Sequence, residues 1–434
     1  MTEVALDKMA MLAADAAIER TTIRKVAVRL MWFIMALYFL AILDRGNISF
    51  AALQMKKDLE MFGISLGIMY FTYAIFEIPS NLFLNRYGAR ATLTRIAMLW
   101  GIATILLAFA QGPLSLYSFR GFLGFAESGL FPGVMLLLSM WFPFSYRARF
   151  NAMFNYAVPI SYIFASLISG AILALDGTFG LPGWKWLFIL EGMPPIVLGL
   201  IGIFYLTDRP QQANWLSSDE KAWLTSAIDR DAKATGVVHG ESVLKTITKP
   251  MVLLFGFCNF GLFCGLASLF AWLPLIVKSF GLPISQIGPV TAIPPIAGLV
   301  GMIVLSWHSD RVGERFYYAG GTFLLAASGF VIVAFSTTLM STILGFMVAN
   351  VGVYGTQAVF WTIPQSYMSR QSAPGAIGLV STIGSIGGAV IGWVIGRTKD
   401  ATGSFTVGFL VVSAVLVFAA ILILIARSKL VKKS

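Results

Sequence analysis

Charge is what this sequence has least of. Only 12% of its 434 residues are Asp, Glu, Lys or Arg, against about 25% in an ordinary soluble domain. A surface so poor in charge cannot face water on all sides, which excludes a soluble globular protein. Histidine and cysteine are scarcer still, at two residues each. Cys258 and Cys264 lie in one apolar run with neither a metal-ligand spacing nor enough partners for a disulfide framework, so they read as packing residues. With no grouped His or Cys there is no nucleophile–base pair and no metal set. An enzyme is therefore not expected, and no cofactor or metal is implied. An apolar segment ahead of a cleavage site is also missing from the first 25 or so residues, which read as a polar tail rather than a signal peptide.

Apolar length is what the chain has instead: 58% of it is hydrophobic, with a mean hydropathy of +0.81. Runs near the roughly 20 residues that a membrane-crossing helix needs recur at 28–50, 62–84, 91–110, 114–141, 150–175 and 185–206. Six more follow at 250–280, 284–307, 316–337, 339–366, 373–396 and 404–426. These predict an all-α protein of twelve transmembrane helices with both termini on one side. Basic residues are retained in short cytoplasmic loops. If both termini are cytoplasmic, the outer loops hold only Lys56, Lys57, Lys185, Lys278, Arg397 and Lys399 of the 31 Lys and Arg. The net charge of +11 is then topology. It is spread over many cytoplasmic segments rather than gathered in the single stripe of a nucleic-acid footprint, so no nucleic-acid partner is expected.

The one long polar stretch, residues 207–249, divides the chain into six-span halves at 28–206 and 250–426, between cytoplasmic tails at 1–27 and 427–434. Within it, Ser217 to Arg230 opens on a Ser-Ser-Asp-Glu helix-start signal and carries Trp223, Leu224, Ala227 and Ile228 on one face. That pattern predicts a short amphipathic helix. The halves echo one another. "NRYGAR" (Asn85 to Arg90) follows the second span and "DRVGER" (Asp310 to Arg315) follows the eighth, 225 residues on. Ala157, Ser161, Ala165 and Ser169 step every four residues along the fifth span, and Gly384, Gly388, Gly392 and Gly396 do so along the eleventh. Small residues at this period let membrane helices approach closely. Two unrelated echoes at nearly one offset argue for an internal duplication.

With these turns, the 6 + 6 layout and the central linker, the sequence resembles the major facilitator superfamily. "LDRGNISFA", "FEIPSNLFLNRYGAR", "RGFLGFAESGLFPG", "WFPFSYRAR" and "GWKWLFILEGMP" look like its anion:cation symporter branch, among bacterial permeases for tartrate-type hydroxy acids, sugar acids and aromatic acids. The resemblance implies two six-helix bundles in the bacterial inner membrane, a monomer as the working unit, and import of a small organic anion with protons. It also implies a conformational role for the two turns through Asn85, Arg86, Gly88, Arg90, Asp310, Arg311, Gly313 and Arg315. Asn85 departs from the family pattern, which usually has Asp there.

Asp44, Arg45, Glu77, Arg120 and Glu127 fall inside predicted spans. Each would cost about 2.5–3.5 kcal/mol near the bilayer centre if left unpaired. The positions 225 residues on from Asp44, Arg45, Arg120 and Glu127 are uncharged (Leu269, Phe270, Gly345 and Gly352), so a structural need common to both halves does not explain them. A guanidinium matches a carboxylate with two parallel hydrogen bonds. Arg45 and Arg120 are thus the expected anion-binding pair. A carboxyl in a cavity of low dielectric can load and release a proton near neutral pH, which makes Asp44, Glu127 and Glu77 the expected proton carriers. The resembled family uses matching positions in spans one and four for binding and coupling. Tyr73, Asn155, Asn350, Gln357, Trp361, Ser381 and Ser385 are expected to line the cavity, and His308 to be a solvated helix end. A proton-coupled exporter of the same fold would want a cavity of acids and aromatics. A receptor would not need ionisable groups inside its spans.

Overall fold

The computed structural model describes residues 3–55, 59–234, 249–367 and 373–431, and every regular element among them is a helix. That is the expected outcome in lipid, where a backbone N–H or C=O finds no water and must be bonded within its own segment. In chain order the helices are α1 (Glu3–Ala51), α2 (Leu59–Leu107), α3 (Pro113–Glu127), α4 (Leu130–Trp141), α5 (Phe144–Leu173), α6 (Gly183–Tyr205) and α7 (Ser218–Ala234). They continue with α8 (Pro250–Ser279), α9 (Ile284–Val312), α10 (Phe316–Ala334), α11 (Leu339–Phe360), α12 (Thr362–Tyr367), α13 (Ala373–Thr402) and α14 (Thr406–Val431). Together they make the twelve crossings, arranged as two six-helix bundles.

The second and third spans are two helices that meet at a kink inside α2, at Gly88, whose φ of 86° only glycine adopts without strain, which is where the sequence puts the turn. One local feature differs from the sequence reading. The fourth span is two helices, α3 and α4, broken at Ser128 and Gly129. Ser80 packs against the break. Its hydroxyl donates to the Ser128 carbonyl at 2.8 Å and fills the place a Cβ on Gly129 would need, while Gly129 takes a φ of 85°.

The bundles meet along α2 with α13, α5 with α9, and α1 with α8. Exchanging the halves, span for span, carries the first of these contacts onto the second and the third onto itself, as a duplicated pair related by a two-fold axis requires. The tightest approaches lie on the face distal to the termini. A Cβ on Gly63 would come within 2.6 Å of the Gly392 carbonyl oxygen, and one on Gly288 within 2.5 Å of that of Ser166. Backbone rests on backbone there, so the cavity between the halves is sealed on that side.

The amphipathic linker helix forms as its sequence predicts. Glu220 N–H donates to Ser217 Oγ at 3.2 Å, and Ser217 N–H donates to Glu220 Oε2 at 2.9 Å, a reciprocal cap. Leu224 and Ala227 are buried. Lys25 reaches Glu220 at 2.7 Å and ties α7 to α1. Burial by itself would raise the Glu220 carboxyl, but the hydrogen bonds from Lys25 and Ser217 outweigh it and hold the group below its ordinary range.

Two outcomes are expected. Gly288→Ala should destabilise the protein by about 1–3 kcal/mol through overpacking, read as a lowered melting temperature in detergent. Because the Glu220 carboxyl is held low, the stability it adds is present at neutral pH and lost as pH falls through its folded-state value. Amide hydrogen-exchange protection of residues 218–234, corrected for the intrinsic exchange rate, should therefore fall in acid. Glu220→Gln should show lower protection already at pH 7, by roughly fivefold for a cap worth about 1 kcal/mol.

Candidate functional site

A cavity of about 80 Å³ lies between the halves, room for several waters when one needs about 10–15 Å³. The N-terminal half supplies Tyr38, Ile42 and Arg45 from α1, Tyr70 and Tyr73 from α2, Leu130 and Phe131 from the start of α4, and Asn155, Val158 and Tyr162 from α5. The C-terminal half supplies Leu262, Phe263, Leu266 and Phe270 from α8, Gln357 from α11, Trp361 just beyond it, and Ser381 and Ser385 from α13. Tyr162 stacks on Phe270 across the interface, and Phe131 faces Trp361 at 6.4 Å. The break in the fourth span places the beginning of a helix, with its partial positive charge, at the cavity wall.

Among the described residues Arg45 is the one charged residue of this lining. Its Nε and a terminal nitrogen both donate to Glu127 Oε1, at 2.9 and 2.7 Å, and its guanidinium stands 5.5 Å from the Tyr73 ring centre. Glu127 is fully buried at the end of α3, and its Oε2 has no partner among the described residues. Two donors therefore converge on one carboxylate oxygen, and the two-oxygen match that a guanidinium fork can make is left unmade.

The other expected charges do not line the cavity. Arg120 is completely buried; its Nε donates to the Ser65 carbonyl at 3.4 Å, and its terminal nitrogens have no partner among the described residues. The expected pair of clamping arginines is thus split, with Arg45 at the wall and Arg120 behind it. The reason is position: from its place in α3, Arg120 meets α2 at Ser65. Asp44 points into the N-terminal bundle, where Oδ1 accepts from Asn47 Nδ2 at 2.7 Å and Thr104 Oγ1 at 2.8 Å. Glu77 reaches across the interface and accepts from Ser381 Oγ at 3.1 Å and Thr382 Oγ1 at 3.3 Å. Of the expected neutral residues, Tyr73, Asn155, Gln357, Trp361, Ser381 and Ser385 line the cavity. Asn350 lines a separate space of about 20 Å³ and donates back to the Phe346 carbonyl. His308 is exposed and bonded to the Tyr318 hydroxyl.

The two look-alike turns are built differently. In the first, the Arg90 backbone N–H donates to Asp208 Oδ1 at 2.8 Å, and its side chain donates to the Ile203 carbonyl. Asp208 leaves no room for a Cβ on Gly88, which would come within 2.7 Å of it. The carboxylate at this turn comes from the end of the sixth span, and the side chain of Asn85 lies outside the described residues. Arg86 is exposed beside Tyr87. In the second, Gly313 (φ 73°) closes α9 with its N–H on the Ser309 carbonyl. Arg315 pairs with Asp310 at 3.3 Å in solvent within the same turn, and Arg311 lies over Trp307.

Sequence reasoning missed Tyr38, Tyr70 and Tyr162 at the cavity wall and Glu191 in the buried part of α6. The tyrosines had a usable signal. Tyr38 lies seven residues before Arg45, Tyr70 three before Tyr73, and Tyr162 seven after Asn155, all helical repeats that share a face with a polar residue already singled out. Glu191 falls inside the predicted span 185–206 and needed only to be counted.

The Major Facilitator Superfamily model matches residues 34–392. A protein of Agrobacterium vitis named "Putative tartrate transporter" is 41% identical over 416 residues, covering 95% of this chain and 92% of its own. A "Quinolone resistance transporter" of Acinetobacter baumannii is 33% identical over 417 residues, covering 95% and 96%. Among solved structures, an inward-facing, unoccupied bacterial homologue of the human lysosomal transporter Spinster superposes with a TM-score of 0.74 at 15% identity, covering 94% of this chain and 98% of its own. A D-xylose–proton symporter gives 0.71 at 15%, covering 91% and 97%. These two share the fold. A family model matched over most of the chain, and relatives above 30% identity along nearly all of it, establish that the chain belongs to the Major Facilitator Superfamily and is a multi-pass membrane transporter of a small molecule, not an enzyme.

Proposed function

We propose that the protein is a symporter that imports a small organic anion together with protons. Its substrate is a hydroxy acid of the tartrate kind, a sugar acid or an aromatic acid. The observation that carries this reading is Arg45 at the cavity wall, held by one oxygen of a buried Glu127. A guanidinium makes its strongest contact with two carboxylate oxygens at once, and a substrate carboxylate can offer both. Protonation of Glu127 would remove the charge that holds Arg45 and turn the fork toward the cavity. Anion binding and proton binding then favour one another.

In this reading Tyr73, Asn155, Gln357 and Trp361 take the hydroxyl and apolar parts of the substrate. Arg120 acts from behind the wall through its charge. Asp44, Glu127 and Glu77 carry or pass protons. Residues 28–206 and 250–426 rock against each other, with the turns at Asn85–Arg90 and Asp310–Arg315 at the face that opens. The chain works as a monomer in a bacterial inner membrane with both termini in the cytoplasm. The quinolone-resistance relative gives a second reading, proton-driven export of a drug. The cation in the cavity lining is the feature that weighs against it.

The test uses purified protein in liposomes with a pH-sensitive dye inside, challenged with tartrate, sugar acids and aromatic carboxylates. Substrate-dependent acidification of the lumen is the expected result. Uptake of labelled tartrate with no proton movement would leave an anion uniporter or exchanger, and silence toward every anion would favour export. Arg45→Ala should weaken anion binding about tenfold to a hundredfold, as loss of a charged hydrogen-bond pair worth about 1.5–3 kcal/mol implies. Glu127→Gln should abolish proton-driven accumulation while anion exchange persists in part. Accumulation by that variant at the wild-type rate would remove Glu127 from the coupling.

A further inference from the structure

Glu191 is a buried carboxyl with no place in the scheme above. It lies in α6, only 5% exposed, and does not line the cavity. Its Oε1 accepts from Ser169 Oγ at 2.9 Å, and its Oε2 has no partner among the described residues. α6 packs against α1, α2 and α5. From α1, Asn47 and Asp44 come within electrostatic reach of this carboxyl. From α5 comes Ser169, while α2 meets α6 at the Gly101 backbone and Ile105. Asn47, fully buried, sends its amide N–H to Asp44 Oδ1 at 2.7 Å. Asp44 Oδ2 likewise has no partner among the described residues, and Asp44 is buried. Two buried carboxyls from different helices thus lie within reach of one amide, each with one oxygen bonded and the other without a partner among the described residues.

Counting charges decides what the free oxygens do. Arg45 is neutralised by Glu127. Arg120 is the cation that acts on Asp44, and one cation cannot compensate both Asp44 and Glu191. With both ionised, a full negative charge would be buried without compensation, a state that buried groups avoid by taking up a proton. A sodium ion would need a cage of oxygens. The donors here, the Asn47 amide and the hydroxyls of Thr104 and Ser169, reach Asp44 Oδ1 and Glu191 Oε1, while Asn47 Oδ1 and the two free carboxyl oxygens have no partner among the described residues. Three orphaned oxygens are fewer than such a cage, and a sodium gradient is one condition of the test.

We propose that Glu191 and Asp44, spaced by Asn47, form a second proton seat that holds one proton between them, set apart from the substrate cavity in the N-terminal bundle. The pair titrates as a unit, and its proton resides on one of the two free oxygens, Glu191 Oε2 or Asp44 Oδ2. This deepens the proposed symport and rests on it only for the claim that the proton is transported.

The test has two arms. Infrared difference spectra of the substrate-free protein in liposomes at neutral pH, wild type minus Glu191→Gln, should contain a protonated-carboxyl band, because the variant frees Asp44 to ionise beside Arg120. Ser169→Ala, which spares the charge and serves if the first variant fails to fold, should shift that band without removing it. Transport with tartrate as the probe should show one proton fewer per tartrate in Glu191→Gln, with tartrate exchange retained. A spectrum unchanged by either variant would overturn the proposal, and so would tartrate uptake driven by a sodium gradient with no pH gradient. If wild-type tartrate uptake moves no protons, the symport reading fails by itself, and the infrared arm still decides whether the pair holds a proton.

Discussion

The ion pair between Arg45 and Glu127 is the interaction around which the N-terminal bundle is organised. An isolated charge in a hydrocarbon solvent is unaffordable without a partner, and here the partner sits at the end of a helix that breaks one residue later. At the break Ser80 bonds to the Ser128 carbonyl and occupies the space beside Gly129. One hydroxyl in α2 thus contacts the break at which α3 stops, next to the residue that holds the cation of α1. The apolar composition creates the demand for pairing, and the broken helix meets it.

The two halves share this cavity unequally. Ionisable side chains come from the first half, while the second contributes neutral hydroxyls, an amide and aromatic rings. Glu77 joins the halves through Ser381 and Thr382, neutral donors whose bonds are worth about 0.5–1.5 kcal/mol each. A cationic partner there would have bound the halves far more firmly. The symmetry of the contacts belongs to the backbone, and the asymmetry of the chemistry belongs to the side chains.

Much of this was legible in the sequence. The spans, the capped linker helix, the duplicated small-residue steps and seven of the eighteen residues of the cavity wall follow from length, helical spacing and residue type, since those properties fix which residues share a face. What a face meets is not local information. Arg120 reads like Arg45 along the chain, yet one meets Ser65 and the other meets open space. Asp208 supplies the carboxylate at the Gly88 turn from a position 120 residues away, a pairing that no motif predicts. The break at Gly129 meets Ser80 in the same way, a partner in another helix.

The seal distal to the termini is made where Gly63 meets Gly392 and Gly288 meets Ser166. Backbone groups within a membrane helix already bond along their own segment. Parting two such surfaces orphans no donor or acceptor. In the rocking motion proposed above, the work of opening this seal would be dispersion and lipid rearrangement, spread over many small contacts and with no hydrogen bond to break.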